Sequence, residues 1–145
     1  MSAFLTPVVT EQLATDRYRL VAPLRYESDA LRCSVTAPRG FVTDFESVPR
    51  WLPLTYAWIY GEAHAPGVLH DYLYQVHKVV FREVTRAEAD GLLYEAAGAS
   101  GPGIQPIGRL KRWTLWSGVR LGGQCAWDSG PSRLTVLWDR RAGPR

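Results

Sequence analysis

Pro66-Gly67-Val68-Leu69-His70-Asp71-Tyr72-Leu73-Tyr74-Gln75-Val76-His77-Lys78, followed by Thr85-Arg86-Ala87-Glu88-Ala89-Asp90-Gly91-Leu92-Leu93, is the stretch on which the fold turns. Leu69, Leu73, Val76 and Val80 recur at three- and four-residue steps, which predicts a helix over 66–78 with one apolar stripe. Pro66 suits its first turn, where a missing N–H costs nothing. Thr85-x-x-Glu88 predicts the start of a second helix. The threonine oxygen can accept from the Glu88 backbone N–H while the glutamate reaches back to cap Thr85. Ala89, Leu92, Leu93 and Ala96 form its apolar face, and Gly98 suits a left-handed C-terminal cap. The short connection predicts two antiparallel neighbours.

Upstream, the pattern changes from period 3.6 to period 2. Residues 17–27 read as a strand with Pro23 at an edge or a break, Ser28-Asp29 as a turn, and Leu31, Cys33 and Val35 as the buried face of a returning strand. Residues 41–50 begin as a third strand and leave it near Ser47, because the residue before Pro49 is pushed away from helical geometry. The aromatic run Trp51, Tyr56, Trp58 and Tyr60 is expected to pack the hairpin onto the helices. Downstream, Ile107–Arg120 predicts a third helix with Leu110, Trp113, Ser117 and Val119 inward, and residues 133–138 a final strand. The expectation is an α+β fold: a small antiparallel β-sheet packed on an antiparallel helical pair plus a third helix. Residues 1–132 form a single domain and 133–145 a basic tail.

A chain of 145 residues fits one domain and needs no disulfide or metal to build a core. Cys33 and Cys125 have no metal spacing and read as reduced thiols. No apolar run is long enough to span a membrane, and Met1–Leu13 has no basic segment followed by an apolar one, so neither a span nor a signal peptide is expected. Four arginines against one aspartate in residues 133–145 account for the whole net charge of +3. A neutral body with a short basic tail argues against nucleic acid as partner. The six tryptophans fill a core or line a contact surface.

The chemistry-bearing set is His70, Asp71, Tyr74 and Asp90. On the first helix His70 and Tyr74 share a face, as do Asp71 and Tyr74. Asp90, one turn into the second helix, can approach the His70 ring. A carboxylate on one imidazole nitrogen fixes the tautomer and leaves the other nitrogen as a base for water attacking an ester or amide. Asp71 can hold a divalent cation or a developing charge, and Tyr74 can hold Asp90. The competing reading is that the same groups only satisfy buried hydrogen bonds. In Thr43-Asp44-Phe45-Glu46-Ser47, Asp44 and Ser47 either pin a turn or reach the mouth of the helical pair, Asp44 as a metal ligand and Thr43 and Ser47 as orienting groups. His64 and His77 are weaker candidates. His77 lies about 10 Å from His70 along a helix, too far to share one ion.

The series Gly40-Phe41-Val42-Thr43-Asp44-Phe45-x-Ser47-Val48-Pro49-Arg50, Leu69-His70-Asp71-Tyr72-Leu73-Tyr74 and Arg86-x-x-Ala89-Asp90 resembles the phage-borne "domain of unknown function 1353" family over about residues 17–127. That resemblance implies a bacteriophage protein, found in the virion or the infected host cytoplasm, with other phage structural proteins as partners. A shorter stretch, His70-Asp71-x-x-Tyr74 with Ala89-Asp90, is similar to phospholipase A2, including the parvovirus capsid type. It implies His70 as base, Asp71 as calcium ligand and Tyr74 with Asp90 as support. The Tyr-x-Gly-x-Gly calcium loop of those enzymes has no counterpart before His70. The function expected from these readings is a virion- or tail-associated protein with a hydrolase-like His/Asp site acting on a host-envelope component, lipid or peptidoglycan. The rival is a non-catalytic structural component of the particle, at the tail, tail tip or head attachment.

Overall fold

A computed structural model describes residues 1–15, 17–43 and 62–130. Six strands come first: β1 (Ala3–Phe4), β2 (Thr10–Ala14), β3 (Arg17–Leu20), β4 (Leu24–Ser28), β5 (Cys33–Ala37) and β6 (Val42–Thr43). Helix α1 (His64–Val76) follows, then a hairpin of β7 (Lys78–Val79) and β8 (Arg82–Glu83), then α2 (Arg86–Ala97), α3 (Arg109–Gly122) and α4 (Gln124–Asp128). The class is α+β, as expected. The strands form not one sheet but two antiparallel three-stranded ones, β1-β4-β5 and β2-β3-β6, besides the hairpin. The division falls at residues 21–23, where Pro23 cannot donate to a ladder, so the expected strand over 17–27 becomes β3 and β4.

The predicted hairpin is β4–β5, registered from Leu24 opposite Ala37 to Ser28 opposite Cys33. Its alternation is clean: Leu24, Tyr26 and Ser28 point inward. The Ser28 hydroxyl accepts from the Leu31 amide at 3.0 Å, closing the turn. The hairpin is locked to α2 by Glu95, which accepts from the Tyr26 phenol and the Ala30 amide, both at 2.8 Å.

Helix α1 starts two residues before Pro66 and stops at His77, whose amide still donates to the Leu73 carbonyl while its left-handed backbone (φ +54°) turns the chain out of the helix. Its stripe therefore ends before Val80, which lies exposed in the β7–β8 turn rather than inside. Helix α2 carries the predicted capping box: the Glu88 amide donates to Thr85 Oγ1 at 3.2 Å and the Thr85 amide to Glu88 at 2.9 Å. Ala89, Leu92, Leu93 and Ala96 are buried as expected. Gly98 caps with φ −96°, not in the left-handed region. Tyr74, late in α1, meets Arg86, early in α2, while the earlier His70 meets Asp90, so the two helices run in opposite directions.

Helix α3 docks through Val119, as its sequence predicts, but not through the rest of the expected face. Leu115, Gly118 and Val119 are buried with Ala63, Leu93, Ala97 and Ile107 in a second small core. Leu110 and Trp113, expected inward, are 66% and 59% exposed. The reason is that α3 has apolar residues on two faces, and the one that fits the Leu93–Ala97 ridge of α2 wins. Among the described residues no helix is long and apolar enough to cross a membrane. The aromatics Trp51, Tyr56, Trp58 and Tyr60, the candidates Asp44 and Ser47, and the expected strand and tail beyond Ser132 lie outside the described residues.

Candidate functional site

Two of the four singled-out side chains, His70 and Tyr74, converge on the carboxylate of a third, Asp90. Asp90 has no exposed surface. Its Oδ1 accepts from His70 Nε2 at 2.8 Å and from the Tyr74 hydroxyl at 2.6 Å, both reaching across from α1. Its Oδ2 accepts from Arg120 Nη1 of α3 at 2.9 Å, and Arg86 Nε lies 3.8 Å away, one turn back on α2. Burial alone would push this carboxyl up. The hydrogen bonds from His70, Tyr74 and Arg120 outweigh it and hold Asp90 below the ordinary carboxylate value. Tyr74 goes the other way: burial, then the hydrogen bond to Asp90, raises its phenol, so the hydroxyl stays a donor. With Nε2–H donating to Asp90, the neutral ring carries its lone pair on Nδ1.

Arg86 ties the cluster to α3. Its Nη2 donates to the carbonyls of Val119 (2.9 Å) and Arg120 (2.6 Å), in the last turn of α3, where the negative dipole end attracts a cation. Helix α4 closes the far side. Trp127 meets the Tyr74 ring edge-on at 5.1 Å and stacks on His77 at 3.7 Å. Glycines make this approach possible. A Cβ on Gly123 would stand 2.5 Å from the Tyr74 hydroxyl, and one on Gly130 would collide with the Tyr74 carbonyl.

Asp71 is the outlier of the expected set. It does not join Asp90; half-exposed on α1, it accepts from the Thr43 hydroxyl of β6. Thr43 itself is buried. One carboxylate and one hydroxyl supply at most a fraction of the six to eight oxygens that calcium takes. Among the described residues no group of three His, Cys, Asp or Glu side chains is placed to hold a metal. The described residues therefore do not make a calcium site by themselves, and Asp44, the other expected ligand, lies outside them.

The surroundings of the ring bear on what it can do. Its grip by Asp90 is present, but the second nitrogen does not face a solvent cleft: His70 is 2% exposed. The ring sits in the run Ala65–His70, buried from end to end where α1 crosses the main core. Sequence reading also missed Arg120 and Trp127, and assigned Arg86 no role. The Arg86-to-Asp90 spacing of four was a legible signal for an intrahelical pair. Arg120 had none, being 30 positions from Asp90 along the chain.

No curated protein and no solved structure is detectably similar to the chain. The family match spans residues 18–119, from β3 through α2 and most of α3, and ends one residue before Arg120. Well over half of the sequence fits that one pattern, and the chain thus belongs to the family described as "Protein of unknown function (DUF1353)".

Proposed function

We propose that this chain is a particle-associated bacteriophage protein, a non-catalytic component whose Asp90 cluster is a polar keystone joining three helices. The observation that supports this reading is the Asp90 carboxylate: fully buried, held by α1 through His70 and Tyr74 and by α3 through Arg120, beside a histidine ring with almost no surface for a substrate. A buried carboxylate so fully satisfied specifies how elements dock. The phage assignment rests on the motif series that the chain shares with its family. Co-expressed with its neighbouring phage genes, the chain should copurify in a fixed ratio with head or tail proteins and show no turnover on phospholipid or peptidoglycan. A protein that stays monomeric and is missing from intact particles would count against this role.

A second reading keeps His70 as a hydrolytic base acting on a host-envelope component. The Nε2–Asp90 bond favours it, because it directs the lone pair to Nδ1, with Asp71 next along the helix for a cation or developing charge. In that reaction Nδ1 takes a proton from water, the hydroxide attacks an ester or amide carbonyl, and the proton passes to the leaving group. Turnover then requires the ring to be uncovered. The two readings part at His70→Ala: a catalytic histidine loses turnover with little change in melting temperature, whereas a keystone histidine lowers the melting temperature with no turnover to lose.

A further inference from the structure

Helix α3 is held by its docking rather than by its own ends. Helix α2 opens on a capping box, whereas α3 has Gly108 at its N-cap, no side chain bonded there and no carboxylate in its first turn. That turn carries Arg109, Lys111 and Arg112 instead, against the positive end of the helix dipole. Lys111 is answered by Glu62 at 2.7 Å and Arg112 by the Tyr94 carbonyl at 3.1 Å, both outside the helix.

The docking is mostly polar. Leu115 and Val119 are the apolar side chains that α3 buries, in a small core with Ala63, Leu93, Ala97 and Ile107; no residue of α3 belongs to the main core. Helix α4 buries none of its residues. It touches the body through Trp127, and through Gln124, which accepts from Arg86 Nη1 at 3.0 Å. At the far end of α3 the ties are again hydrogen bonds: Arg120 on Asp90, and Arg86 on the Val119 and Arg120 carbonyls. Water replaces such bonds when a contact parts, whereas lost apolar burial has no substitute. A segment with so little buried apolar surface lies at the low end of local stability.

The chain before α3 is anchored to the body. The Ile107 amide donates to the Ala97 carbonyl at 2.7 Å, and the Ser100 carbonyl accepts from the Phe4 amide at 3.0 Å. Gly108, next along, is exposed, with open space where a side chain would stand. We propose that α3 and α4 form a cover, hinged at Gly108 and latched by Arg120 on Asp90, that opens as a unit while α1, α2 and both sheets stay folded. Opening brings the Asp90 carboxylate and the Tyr74 hydroxyl into solvent, the state in which water or a partner reaches the cluster. The proposal rests on the reading of Asp90 as a joint between helices, and makes the α3 side of that joint a catch.

Native-state hydrogen exchange of the full chain, read segment by segment by mass spectrometry, tests it. After correction for intrinsic rates, interior amides of α3 (residues 113–119) should exchange at least about tenfold faster than those of α1 (residues 69–74). Val35→Ala weakens the main core at β5. It should speed α1 about tenfold and leave α3 within about twofold, because the body is folded in both the closed and the open form. Arg120→Ala removes the latch and should speed α3 about tenfold. Equal rates in the wild type, or equal acceleration of both segments by Val35→Ala, overturns the proposal: the chain then opens only as a whole, with the Asp90 joint still in place. Unchanged α3 exchange in Arg120→Ala overturns it too, since the latch would hold nothing. Failure of the joint itself is a separate result, an Asp90→Ala variant as stable as the wild type.

Discussion

Two carboxylates on the same helix, two residues apart, meet opposite conditions. Glu88 sits at the exposed start of α2, takes the Thr85 amide and hydroxyl, and pairs with Arg82 at 2.9 Å in solvent. Asp90 is out of water altogether and gathers three donors from α1 and α3. Both carboxyls are held below their ordinary values. For Glu88 the first cause is the Arg82 hydrogen bond; for Asp90 burial opposes and hydrogen bonds win. The difference teaches that partner count and charge do not rank these sites. At the Glu88 end water replaces whatever is removed, while at the Asp90 end nothing does.

Removing Asp90 should therefore be the most damaging change. Asp90→Ala strands a histidine, a phenol and an arginine without their acceptor and should cost about 3–5 kcal/mol in chemical denaturation. A loss below about 1 kcal/mol would mean that the cluster does not hold the helices together. His70→Ala comes next, at about 3 kcal/mol, from a lost charge-assisted bond plus a cavity beside Leu69 and Leu73. An unchanged melting temperature in that variant would favour the catalytic reading. Tyr74→Phe keeps the ring against Trp127 and removes only the 2.6 Å bond, so about 2 kcal/mol is expected.

Acid should sharpen the contrast. The folded carboxyl of Asp90 titrates below its unfolded value, near 3.8, so its contribution is complete above that pH and is lost as pH falls through the lower folded value. The stability gap between wild type and Asp90→Asn should narrow as pH falls below about pH 4. A gap that closes near neutral pH would point to another group. At the exposed end, Thr85→Ala should cost about 1 kcal/mol through the cap, and Arg82→Ala should leave the melting curve in place.

Much of the site was readable because its parts are local. His70 and Tyr74 are one turn apart, Thr85 and Glu88 are joined by three residues, and a short link sets the two helices side by side, so Asp90 had little choice but to meet the ring. Arg120 was out of reach of such reasoning. It arrives from α3, whose orientation depends on which apolar face meets Leu93 and Ala97. The strands β1 and β2 were also missed. β1 has two residues, and β2, with the pattern Thr-Glu-Gln-Leu-Ala, is largely exposed and lacks the alternation that marks a half-buried strand.

Backbone periodicity and capping act between residues a few positions apart, so the chain by itself determined the β4–β5 hairpin, both helices of the pair and the meeting of His70 with Asp90. Packing between distant segments decided the rest: which face of α3 turned inward, that Arg120 and Arg86 completed the carboxylate's shell, and that the imidazole ended up out of water. Burial is a property of everything that surrounds an atom, and no local pattern carries it.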